Sequence, residues 1–160
     1  MHSLILILFL SVVMATNDSK GELPIGLTED ERTRIHEIYT MGRDTDPPPT
    51  PIRNVAEYER MEGVLIRYPF GISTALIAEM SENVTIYCLV SSSQQNSASN
   101  AMESGGADMD NVEFVVGPTD SYWTRDYGPW WVVDGERNMS IVDFTYNRPR
   151  PNDNDAPLKM

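Results

Sequence analysis

Between residues 61 and 116 the chain alternates apolar runs of strand length with helix-like or polar stretches, and this alternation constrains the fold more than any other feature. Residues 61–68 (MEGVLIRY), 84–90 (VTIYCLV) and 112–116 (VEFVV) read as strands, being short and rich in β-branched and aromatic side chains. Residues 73–80 (STALIAEM) read as a helix. Residues 91–101, dominated by Ser, Asn and Ala, fit either a second helix or a polar loop, ended by Gly105 and Gly106. Residues 130–133 and 140–146, joined by a turn at Asp134 and Gly135, read as a hairpin. The order of strand, helix, strand, possible helix, strand and hairpin predicts an α/β architecture.

Upstream of this unit the chain changes character. Residues 4–13 form an apolar run of the length of a signal-peptide core, too short to cross a bilayer, followed by small residues ending at Ala15. The expectation is a signal peptide over residues 1–15, a secreted product, and no membrane association once the signal is cleaved. Residues 16–27 read as a polar tail, and 28–41 (TEDERTRIHEIYTM) as a short capped helix with early acids. His36 on that helix reads as a surface or packing residue. Four prolines in residues 44–53 predict an extended linker, so the division is residues 16–53 as tail, helix and linker, and residues 54–160 as the folded unit.

A formal net charge of -12 argues against a nucleic-acid partner, because neutralising phosphates requires clustered Lys and Arg. A cationic ligand suits the balance better. Cys88, the only cysteine, lies in a strand-like apolar run where a thiol behaves as a small hydrophobe. No metal-ligand spacing or phosphate loop is present, so neither a metal nor a nucleotide cofactor is expected.

The chemistry concentrates in residues 121–131 (SYWTRDYGPWW) and 142–153 (VDFTYNRPRPND). The first places the Asp126 carboxylate among aromatic rings, where it would accept two parallel hydrogen bonds from a planar guanidinium. Aromatic faces beside it would stack on such a cation and exclude water. The second places Arg148 and Arg150 around Pro149, two forks suited to a carboxylate on a loop that prolines restrict. Such a set suits a ligand with a cation at one end and a carboxylate at the other. The plainer readings are an Asp126 that pairs with Arg125 or caps a turn, and a solvated loop whose arginines face Asp153 and Asp155.

On TRDYGPWW and YNRPRPND, with MEGVLIRYPFGI in support, the chain from about Tyr58 onward resembles the bacterial-type peptidylarginine deiminases. That family stands with the agmatine deiminases among the guanidino-modifying enzymes of pentein fold. The resemblance implies a partial pentein-type α/β propeller, an incomplete domain. It also implies hydrolysis of an arginine guanidinium, in a peptide and at its C-terminus, to citrulline and ammonia. Asp126 matches an aspartate that grips guanidinium nitrogens, Trp123 a pocket-lining residue, and Arg148 and Arg150 the pair that holds the carboxylate of a C-terminal arginine.

No residue matches the nucleophilic cysteine, the catalytic histidine or the second aspartate, which in the family lie downstream. The expectation is therefore an N-terminal fragment that does not catalyse by itself. The alternatives are an agmatine deiminase of putrescine biosynthesis, in which the arginine pair has no carboxylate to meet, and a non-catalytic module that binds arginine.

Overall fold

The computed structural model describes residues 25–160, so the expected signal peptide lies outside the described residues. In chain order the elements are helix α1 (Glu29–Arg34), a 3-10 turn (Ile35–Thr40), strands β1 (Arg53–Asn54) and β2 (Gly63–Arg67), helix α2 (Thr74–Ser81) and strand β3 (Thr85–Val90). Helix α3 (Gln95–Ser104), strand β4 (Val112–Val116), helix α4 (Thr124–Tyr127), the hairpin β5 (Trp130–Val133) and β6 (Met139–Val142), and helix α5 (Pro151–Asn154) follow. The architecture is mixed α/β with two small sheets. Strands β2, β3 and β4 form a parallel sheet in that order, and β1, β5 and β6 an antiparallel one. Among the described residues no helix is long and apolar enough to cross a membrane.

The parallel sheet follows from the alternation read in the sequence. Successive strand side chains point to opposite faces, so a strand covered on both sides is apolar at nearly every position. Ile86, Cys88 and Val90 of β3 pack with Ile66 of β2, Ile77 of α2, and Ala98 and Met102 of α3. On the opposite face Leu89, flanked by Leu65 and Val115, packs against Tyr127, Tyr146 and Ala156. Helices therefore cover one face, and the two sequence motifs cover the other. Burial pushes the Cys88 thiol up to about 12, which keeps it protonated and inert as a nucleophile at neutral pH.

Local signals set the element ends. The Ser73 side chain accepts a hydrogen bond from the Leu76 N–H and starts α2. Residues 91–101 resolve towards helix, with a 3-10 turn (Ser92–Gln94) leading into α3 and Gly105 at its C-terminal cap.

Two elements depart from the sequence reading. Arg53, expected in the linker, begins β1 and pairs with Val133 of β5. The second hairpin strand stops at Val142, so residues 143–150 are left irregular. Trp130 and Trp131, neighbours on β5 and so directed to opposite faces, are both exposed, at 49% and 38%.

Candidate functional site

Helix α4 and helix α5, of four residues each, carry the two motifs and meet on the Leu89 face of the parallel sheet. One carboxylate ties them together. Asp153, fully buried, accepts hydrogen bonds from the Asp120 N–H at 2.7 Å, the Ser121 N–H at 3.0 Å and the Ser121 hydroxyl at 2.6 Å. In return Asp120 accepts from the Asn152 backbone at 2.9 Å and from its side-chain amide at 2.7 Å. Burial pushes the Asp153 carboxyl up, against the opposing pull of the Ser121 and Asp120 donors.

Tyr127 closes the same joint. Its hydroxyl donates to the Ser121 carbonyl at 3.1 Å, and its ring meets Tyr146 edge to face at 5.8 Å. Burial raises both phenols. On Tyr146 the next influences are Arg150, which lowers, Asp153 and Asp126, which raise, and Arg148, which lowers.

The four residues singled out in the sequence have distinct settings. Asp126 is exposed on α4, and its neighbour Arg125 turns instead to Glu57 in a solvent-facing pair of little energetic weight. Gly128 ends that helix at φ 88°, a conformation open to glycine, and a Cβ there would sit 3.0 Å from the Trp130 nitrogen. Trp123 is partly buried and lines a cleft of about 260 Å³ with Tyr122, Ile66, Arg67, Gly71 and Ile72. A larger open cleft of about 700 Å³ lies at the hairpin turn beside Pro51 and Arg137, and none of the four residues lines it.

The arginine pair is already engaged. Arg148 donates to the Ile25 carbonyl, and the buried Arg150 donates through Nε to Glu31 Oε1 of α1 at 2.5 Å. Neither arginine faces Asp153 or Asp155, since Asp155 pairs with Arg43 at 2.9 Å. Removing one partner of a buried pair such as Glu31 and Arg150 costs about 3–5 kcal/mol, because the other charge is left in a poorly solvating site.

Four participants escaped the sequence reading. Glu31 had a visible signal as the third residue after Thr28, a capping box: its Oε2 accepts from the Thr28 N–H at 2.8 Å. Nothing local indicated that its other oxygen reaches Arg150. Asp153 and Tyr146 stood inside the quoted motif without an assigned part. Arg67 ends β2 and crosses to the Thr119 hydroxyl at 2.9 Å and the Pro69 carbonyl at 2.9 Å, so the strand itself holds the loop before α4 and one wall of the Trp123 cleft.

Comparison with known proteins agrees with the region these contacts define. The stretch 55–153 matches the family described as Porphyromonas-type peptidyl-arginine deiminase. A protein named putative agmatine deiminase, from Selenomonas ruminantium, is 29% identical over 72 residues, covering 45% of this chain and 19% of that relative. The chain thus aligns with about a fifth of the length of the curated relative it matches. Both motifs and the parallel sheet fall inside the family match, which spans more than half of the chain, and the chain belongs to the Porphyromonas-type peptidyl-arginine deiminase family.

Proposed function

We propose that this chain is the N-terminal part of a longer, secreted deiminase that hydrolyses the guanidinium of a C-terminal arginine to citrulline and ammonia. In this reading Asp126 orients the guanidinium through paired hydrogen bonds, Trp123 walls the pocket, and Arg148 with Arg150 receives the α-carboxylate. A cysteine encoded downstream of Met160 attacks the central guanidinium carbon. A downstream histidine handles protons, and a second aspartate completes the grip. Water supplies the oxygen of the ureido product as ammonia leaves. The two sheets described here would form part of a pentein-type propeller completed by the rest of the chain.

The observation that carries the reading is the joint made by Asp153. It ties the segment that carries Asp126 to the segment that carries Arg148 and Arg150. Such a joint suits a ligand held by both segments at once.

The test is steady-state kinetics on the protein expressed from its full reading frame. Asp126→Asn should lower kcat/KM for a peptide ending in arginine on the order of a hundredfold or more, as expected when a hydrogen-bonded charge pair loses a partner. Activity near that of the wild type would refute the role.

A second reading, agmatine as substrate, is favoured by one specific observation. Arg150 is already neutralised by Glu31, and agmatine has no carboxylate to offer it. Arg148→Ala separates the two. A loss confined to the peptide supports the arginine reading, and equal effects on agmatine and peptide support the other.

A further inference from the structure

The segment before the parallel sheet, read in the sequence as tail, short helix and linker, straps the second motif. Arg34 donates to the Pro149 carbonyl at 3.0 Å, and Arg43 donates to Asp143 and Asp155 at 2.9 Å each and to the Asn154 carbonyl at 3.1 Å. Asn154 donates back to the Met41 carbonyl at 3.1 Å. At the centre of the strap Glu31 and Arg150 are each only 6% exposed in their side chains. An external carboxylate that pairs side-on with this guanidinium through Nε must first move Glu31.

Glu31 also belongs to two structures at once. One carboxylate oxygen closes the capping box of α1 with Thr28, and the other meets Arg150. Withdrawing the side chain from Arg150 therefore disturbs the start of a six-residue helix, which has little stability of its own. Departure of the carboxylate and loosening of α1 are one event.

We propose that Glu31 is a specificity-determining residue: an intramolecular carboxylate that occupies the arginine grip until a ligand's own carboxylate displaces it, loosening the strap as it does so. The inference rests on the reading of Arg148 and Arg150 as a carboxylate grip. It adds that the grip is closed by the chain's own N-terminal segment, so that carboxylate-bearing substrates meet a competition that agmatine escapes. The competition is local and acts at the effective concentration of a tethered group, so its removal appears in KM rather than kcat.

The experiment uses the protein from its full reading frame, with three probes: a short peptide ending in arginine, the same peptide amidated at its C-terminus, and agmatine. Glu31→Gln is expected to lower KM for the free-acid peptide several-fold relative to the KM values for the amide and for agmatine. An unchanged or raised KM for that peptide, with the wild type preferring it over the amide, overturns the inference alone. A wild type that treats the free acid and the amide alike overturns the reading of the arginine pair, and the inference with it.

Because Glu31→Gln leaves Arg150 buried without a counter-charge and risks misfolding, hydrogen exchange on the wild type supplies a second measurement. Saturating free-acid peptide is expected to speed exchange at the amides of Glu29–Arg34, and agmatine to leave it unchanged. Equal protection with both ligands contradicts the displacement.

Discussion

Asp153 shows at the scale of one residue why the candidate site has its shape. Its carboxylate satisfies the N–H and hydroxyl of Ser121, which would otherwise be buried without partners, and the part-buried Asp120 N–H. Asp153→Ala should cost at least about 2 kcal/mol, since each unsatisfied buried donor costs about 1–3 kcal/mol. Asp153→Asn should retain most of that stability, because burial already disfavours the charged form. Denaturant titration of both variants checks this, and equal losses would show that the charge rather than the geometry matters. Glu31 obeys the opposite sign. Burial pushes its carboxyl up, but the Thr28 N–H and Arg150 outweigh that and leave it below the ordinary range. A carboxylate whose folded value is depressed contributes stability at pH above its unfolded value of about 4.3, and loses it as pH falls through the folded value. The strap is therefore expected to loosen only in acid below the ordinary carboxylate range, followed by exchange at α1 across a pH series. Neither residue's long-range partner was legible in the sequence. Arg150 lies 119 positions from Glu31 and Ser121 lies 32 from Asp153, and such contacts leave no local period.

Elements with a strong period were legible, and elements held by tertiary contacts were not. β4 ends where the apolar run ends, and α2 starts at its serine cap, because alternation and capping are local. α4 and α5 are single turns fixed by the Ser121 and Asp153 joint, and the segment around Asp126 read as loop because four residues carry no helical period. β1 escaped for a similar reason: its two residues owe their extension to pairing with β5 rather than to pattern. Leu89 is the residue through which the sheet supports both motifs. Leu89→Ala should destabilise by about 2–5 kcal/mol through the cavity it leaves. It should also raise KM for any ligand bound at the joint. A variant with that loss of stability and unchanged KM would show that the motifs hold their positions without the sheet.

At the scale of the whole molecule, the antiparallel sheet presents Trp130 and Val142, register partners on one face, to solvent at 49% and 42% exposure, an apolar surface of the kind a larger assembly covers. The 160-residue chain expressed alone is expected to bind a hydrophobic dye and to associate, whereas the product of the full reading frame does neither. The family was legible from two short motifs because charged and aromatic side chains concentrate in them. The strap was not, because a short polar helix looks the same whether free or packed. The most direct test is a crystal structure of the full-length protein with a peptide ending in arginine, in a variant trapped before turnover. The expected result places the guanidinium against Asp126 and the terminal carboxylate against Arg148 and Arg150, with Glu31 withdrawn. A ligand bound with those groups directed into separate regions, too far apart for one arginine to bridge, would contradict the account.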